Sequence, residues 1–191
     1  MIPAAHSPII SRVARVWVTL LMVLALGACT SGEGGGAGAS GTSKPQSLPA
    51  PLPSVTLQPL SSGKAVDLAT LRGPLVINLW ASNCVPCRTE LPIYQKFART
   101  HAGQVDVLGI DYRDPQSGAA VELAEQSGVG YRLLTDPDAA IAGKGPFPVL
   151  RGLPFLALVD AQGQVVHREY VEITSLGQLE DLVAEHLGVT R

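Results

Sequence analysis

Cysteine is scarce in this chain, and what there is sits in two places: Cys29 alone, and Cys84 with Cys87. Three cysteines cannot make a disulfide scaffold. Charge is thin as well, at 16% of residues with a formal net charge of -2. There is no basic stripe for nucleic acid, and no acidic or basic run that names a partner. The four histidines, His6, His101, His167 and His186, have no spacing that would complete a metal site with the cysteines. No apolar run reaches the roughly 18 residues that a membrane span needs. Sequence repeats are absent too. Apolar residues nevertheless make up 46% of the 191 positions, which is enough for one well-filled domain plus extensions.

The N-terminus reads as an address. Arg12 and Arg15 precede an almost wholly apolar stretch from Val16 to Leu26, and residues 1–28 have the layout of a secretory signal. The stretch ends Leu26-Gly27-Ala28-Cys29, which resembles the lipobox of bacterial lipoproteins. That resemblance implies that Cys29 becomes the first mature residue and carries a diacylglycerol on its sulfur, so that the chain meets the lipid bilayer through Cys29. Removing residues 1–28 takes away Arg12 and Arg15 and no acid, so 14 basic side chains become 12 against 16 acids, a net charge of -4. A domain of that sign has no electrostatic reason to lie on an anionic membrane. Residues 29–53 then read as the lipidated cysteine and a tether, Gly/Ser-rich at first and Pro-rich later, spanning about 25–30 Å as a random coil.

From 54 to 191 the pattern is that of a folded domain. Two short extended pieces between Val55 and Leu68 flank a turn at Ser61-Ser62-Gly63. Leu75 to Trp80 is nearly continuous apolar sequence, as in a strand buried on both faces. A helix is expected over Cys84–Thr100, a strand over Val105–Ile110, and a helix over Ala119–Gln126. Phe155–Val159 and Gln164–Tyr170 flank Asp160-Ala161-Gln162-Gly163, a hairpin signal. The last helix starts at Thr174 or Ser175, with Ser175 and Gln178 as a capping box and Gly188 as its stop. Alternating strands and helices predict an α/β fold.

Cys84-Val85-Pro86-Cys87 follows the buried strand and opens a helix, the context that gives a Cys-x-x-Cys redox meaning. Free N–H groups and the positive dipole end at a helix start favour a thiolate, so Cys84 is expected to attack. Cys87, close to one turn on and more buried, is expected to resolve the mixed disulfide. No cofactor or metal is implied. A peroxiredoxin would need threonine where Ala81 stands. A copper chaperone of this fold normally has three residues between its cysteines, not two.

Taken together these segments resemble the thioredoxin superfamily, and within it the TlpA/ResA-like thiol–disulfide oxidoreductases. The segments that carry the resemblance are Leu57–Gly73, Val76–Ser82, Cys84–Pro92, Gly152-Leu153-Pro154 and Asp160–Gly163, in that order. It implies a thioredoxin-like fold: a central mixed sheet flanked by helices, with an N-terminal β-hairpin extension. It implies a cis bond before Pro154, which brings the Leu153 backbone beside Cys84 as a substrate-binding edge. It implies that Glu90, three residues after Cys87, lies near the pair and tunes its proton transfers, since Asn78 stands where thioredoxin has a buried acid. Trp80 is expected to pack beneath the motif, and Asp111 and Asp114 to serve as turn or capping residues. The implied activity is exchange of the Cys84–Cys87 disulfide with protein thiol or disulfide substrates outside the cytoplasmic membrane. The favoured direction is reduction, including service to cytochrome c maturation, with a membrane protein as electron donor. An oxidase of the same fold, with a membrane electron acceptor, and a redox-inert or metal-chaperone lipoprotein module stay open. The chain departs from the family at Asn83, where tryptophan is usual, at Gly143–Pro148, which looks inserted, and at Phe155, where threonine is common.

Overall fold

A computed structural model describes residues 46–190. The signal segment, Cys29 and the tether up to residue 45 lie outside the described residues. The organising element is the strand predicted from the apolar run, β4 (Leu75–Trp80), in which every residue is buried. It pairs in parallel with β5 (Asp106–Tyr112) and antiparallel with β7 (Phe155–Val159). Around this trio run β1 (Ala50–Pro51), β2 (Thr56–Pro59), β3 (Val66–Asp67), β6 (Arg132–Asp136) and β8 (Gln164–Glu169). The sheet order is β1-β8-β7-β4-β5-β6-β2-β3. Strands β4, β5 and β6 are mutually parallel, and the remaining pairings are antiparallel. The sheet is therefore mixed, and the fold is thioredoxin-like.

Alternation along β4 divides the core. Leu75, Ile77 and Leu79 belong to one apolar cluster, with Ile110, Phe155, Phe147 and Leu57. The intervening Val76 and Trp80 join clusters on the other side, where α1 (Val85–Thr100), α2 (Ser117–Gln126) and α3 (Leu176–Leu187) pack. Helix α1 offers the stripe Cys87, Glu90, Leu91, Tyr94 and Phe97, and α3 answers with Leu179 and Val183. Ser175 caps α3 by accepting the Gln178 N–H, as the sequence predicts. The return arm of the box differs by one residue: Gln178 Oε1 accepts from Thr174 N and Oγ1. Gly188 closes the helix at φ 69°, a left-handed conformation that glycine adopts without steric cost. Close packing also fixes Gly109 on β5, where a Cβ would fall 2.5 Å from Leu133 Cδ2 and 3.1 Å from Trp80 Nε1.

Two strands were not legible in the sequence. Strand β6, Arg-Leu-Leu-Thr-Asp, is short and half polar. Strand β1 falls in the stretch expected to be tether. Ala50 and Pro51 pair with Val165 and Gln164 of β8, and Ala50 and Leu52 are buried. The ordered domain thus starts before residue 54, because a Pro-rich segment can add to a sheet edge without donating every ladder hydrogen bond. A chain beginning at residue 54 is expected to be less stable than one beginning at 46 by about 2–3 kcal/mol, mostly from exposing the Leu52 site. Equal urea midpoints for the two would show that this edge contributes nothing.

Candidate active site

Strand β4 ends at Trp80, and a tight turn with Cys84 N–H bonded to Ala81 O (3.1 Å) delivers Cys84 as the N-cap of α1. Cys84 and Cys87 form a disulfide. Their surroundings are unequal: Cys84 is half-buried, whereas Cys87 is fully buried against Trp80 and Leu91. The Cys87 N–H donates to Cys84 Sγ at 3.3 Å, and Pro86 in the first turn has no N–H of its own to satisfy. A sulfur in that position collects both a direct N–H and the positive helix end, which favours its thiolate once the bond is reduced.

Because β4 and β7 are antiparallel, the end of one lies beside the start of the other: Leu79 pairs with Phe155. This register carries the residues before β7 to the mouth of the site. The Leu153–Pro154 bond is cis. Leu153, Gly152 and Cys84 share the lining of an open groove of about 430 Å³. Asn83 lines the same groove, so the position where tryptophan is usual in relatives is polar here.

Glu90 is wholly buried, on the same stripe of α1 as Cys87. Its Oε1 accepts the Ile173 N–H at 2.5 Å, and its Oε2 is buried without a partner among the described residues. Burial pushes its pKa up to about 7; the Ile173 N–H opposes the rise and the neighbouring Glu172 adds to it. The Glu90 charge in turn helps to hold the phenols of Tyr94 and Tyr131 above their usual range, after burial itself. Asn78 and Trp80 are both fully buried on this side of the sheet. The structure thus brings Cys84 and Leu153 together at the groove, with Cys87 and Pro154 buried and Glu90 buried about one turn of helix beyond Cys87.

Asp111 and Asp114 do more than turn a loop. Asp114 accepts from Gln116 N (2.8 Å), as a capping residue would, and also from Ser82 N (2.5 Å). That second bond pins the turn carrying Cys84 to the end of β5. Burial acts to raise the Asp114 pKa, but its hydrogen bonds, chiefly from Ser82, outweigh that and hold it below the usual carboxylate range. Asp111 is buried opposite Trp80 in the β4–β5 register. Burial, and then the charge of Asp114, push it up to about 7. Nothing in the sequence separated this buried strand acid from an ordinary turn residue, because β5 was expected to end at Ile110.

These shifts set a pH dependence. Glu90 and Asp111 bind protons more tightly in the folded chain than in the unfolded one. Their contribution to stability is complete below about pH 4 and is lost as pH rises through about 7. Asp114 runs the other way, losing its contribution only in acid, so pH 5–8 isolates the first pair. The urea midpoint of the oxidised protein is expected to fall between pH 5 and pH 8. Asp111→Asn and Glu90→Gln should each flatten that fall, and wild-type and variant curves of equal slope would show that neither acid is protonated in the folded state.

Comparison with known proteins agrees with this geometry. The Redoxin family model matches residues 49–184. The chain is 32% identical over 124 residues to the thiol:disulfide interchange protein DsbE of Pseudomonas fluorescens biotype C, covering 64% of this chain and 66% of that one. It is 30% identical over 122 residues to the thiol:disulfide interchange protein CycY of Rhizobium leguminosarum bv. viciae, covering 62% of each. In both cases the match spans just under two thirds of the relative's length. Among solved structures, a secreted Mycobacterium tuberculosis disulfide oxidoreductase homologous to DsbE of E. coli superposes with a TM-score of 0.59. That match is at 24% identity, over 69% of this chain and 96% of the other, and it shows the shared fold. With the family model covering most of the domain that carries Cys84 and Cys87, the chain belongs to the Redoxin family.

Proposed function

We propose that this protein is an extracytoplasmic thiol–disulfide oxidoreductase that exchanges its Cys84–Cys87 disulfide with protein substrates, working as a reductase. The observation that carries this reading is the asymmetry of the pair: a half-exposed sulfur on a helix N-cap, beside the Leu153–Pro154 edge, with its partner sulfur fully buried. In the reduced protein the Cys84 thiolate attacks one sulfur of a substrate disulfide. The S–S bond breaks, and the first substrate thiolate leaves and takes a proton from water. The Cys87 thiol then gives its proton to Glu90 and attacks Cys84 Sγ. The mixed disulfide breaks, the second substrate thiolate leaves and is protonated, and Cys84–Cys87 is left oxidised. Two electrons have passed to the substrate, and a membrane protein restores them. The names of the interchange relatives support the reaction class, and the resemblance to ResA-like proteins supports the reductive direction and apocytochrome c as a substrate. Glu90 is suited to its role by a pKa near 7, where it can both accept and return a proton.

Cys87→Ala should accumulate mixed disulfides through Cys84, while Cys84→Ala accumulates few. Glu90→Gln, with both cysteines kept, should slow the second step, so that its mixed disulfides persist longer than those of the wild type in non-reducing gels. Equal trapping by the two cysteine variants would refute the assignment of Cys84 as nucleophile, and unchanged lifetimes in Glu90→Gln would remove that residue from the mechanism.

We also propose attachment to the membrane through a lipid on Cys29, supported by the Leu26-Gly27-Ala28-Cys29 sequence. Cys29→Ser is expected to release the protein from the membrane fraction or leave it unprocessed. An unaltered fractionation pattern, with no lipid mass on the N-terminal peptide, would refute it.

A further inference from the structure

The groove beside Cys84 has a charge of its own. Its walls are the active-site turn, the end of β5 with Tyr112 and Arg113, and the segment from Leu150 to Leu153. No acidic residue lines it, although the chain as a whole is acidic by formal charge. Arg113 and Arg151 both line the groove and are exposed. Neither stands within ion-pair distance of a carboxylate: every ion pair among the described residues involves a histidine. Two acids beside Arg113, one in sequence and one across the sheet, are turned elsewhere. Asp114 faces the Ser82 and Gln116 N–H groups, and Asp136 those of Ala140 and Ile141.

Both arginines are held in place by their backbones. Arg113 has φ 53°, in the left-handed region where glycine or asparagine would be the easier residue, and its N–H donates to Asp136 O at 3.0 Å. The Arg151 N–H donates to Tyr170 Oη at 3.2 Å. Apolar exposure gathers on the same segments. The large hydrophobic side chains left exposed among the described residues are Val85 (72%), Val149 (67%) and Tyr170 (51%). Val85 follows Cys84, Val149 precedes Leu150 of the groove wall, and Tyr170 receives the Arg151 hydrogen bond. Exposed apolar side chains on the segments beside a reactive sulfur fit a protein segment, and two arginines that line the groove with no ion-pair partner among the described residues define its sign.

We propose that this groove selects extended, cysteine-bearing protein segments with carboxylates next to the cysteine, Arg113 and Arg151 being the selecting residues. The inference rests on the exchange reaction above and adds its substrate class. The two arginines act before the chemistry, by raising the population of correctly placed encounters, so they affect kcat/KM and its salt dependence. An exposed charge pair has a small effect by itself, about two- to fivefold per arginine, and one that fades as salt shortens the screening length to about 8 Å.

The test uses the reduced full-length chain and two disulfide-linked peptides that differ only in Glu or Lys on either side of the cysteine, with hydroxyethyl disulfide as an uncharged reference. The acidic peptide is expected to be reduced about tenfold faster than the basic one at low ionic strength, with the gap closing in salt. Arg113→Gln with Arg151→Gln should erase the preference, and the corresponding lysine variants should keep most of it. All forms should reduce hydroxyethyl disulfide at one rate, which shows that the fold and the cysteine pair are intact. Equal rates for the two wild-type peptides, or a preference that survives the double glutamine variant, would overturn this inference alone. Failure of the wild type to reduce even hydroxyethyl disulfide would overturn the exchange reaction and the inference with it.

Discussion

The burial of β4 between a parallel and an antiparallel neighbour is the constraint from which the site follows. A strand hydrogen-bonded on both edges and covered on both faces has one register and one direction. Its C-terminal end must emerge at the sheet edge, and Cys84 is reached four residues later. The parallel partner β5 ends at the same edge and supplies Asp111, Arg113 and Asp114. The antiparallel partner β7 begins there and supplies Leu153 and Pro154. Segments about 70 residues apart in the chain are therefore neighbours because of strand direction.

The side of the sheet covered by the helices carries an unusual load of buried polar atoms. Trp80, Glu90 and Asp111 each bury a polar side-chain atom with no partner among the described residues, and the polar ends of Asn78 and Tyr131 are buried beside each other. Such atoms cost stability, typically about 1–3 kcal/mol each when truly unpaired. A core selected for stability alone would replace them with apolar groups. The proposed exchange gives them a use, since there a proton is held and released in a region closed to solvent. Glu90 and Asp111 lie near neutrality for the same reason, burial, but their anchoring differs. Glu90 holds a backbone N–H at the start of the segment leading into α3, whereas Asp111 lies against Asp114, whose charge is committed to positioning the active-site turn.

Much of this was legible in the sequence because the signals were local. The apolar run of β4, the Cys-x-x-Cys at a helix start, the Asp160–Gly163 turn and the Ser175 cap each announce themselves within a few residues. What escaped was decided by distant partners. Ala50 and Pro51 read as linker until β8 supplies an edge for them. Arg132–Asp136 has too few apolar residues to mark a strand, and owes its order to β5 on one side and β2 on the other. Asp111 and Glu90 look alike as sequence, two acids next to apolar residues, and only the packing around them shows that both are buried. The groove charge was invisible for the same reason: Arg113 and Arg151 are 38 positions apart and meet only through the sheet.

The unequal burial of the two cysteines also separates two demands that a single surface could not meet. In the proposed exchange the first sulfur must admit many geometries of approach, and Cys84 is half-buried at the groove. The second sulfur must act the same way whatever the substrate, because it attacks a bond that already includes Cys84. Cys87 meets this by being enclosed, with a buried acid on its own helix stripe and no exposure to the partner. If the proposed exchange holds, changes at the groove alter which substrates are accepted without retuning the resolving step, and changes beneath α1 retune that step without altering recognition. Asn83 lines the groove, Phe147 and Phe155 are buried in the apolar core, and Val85, Pro86, Cys87 and Glu90 lie on α1.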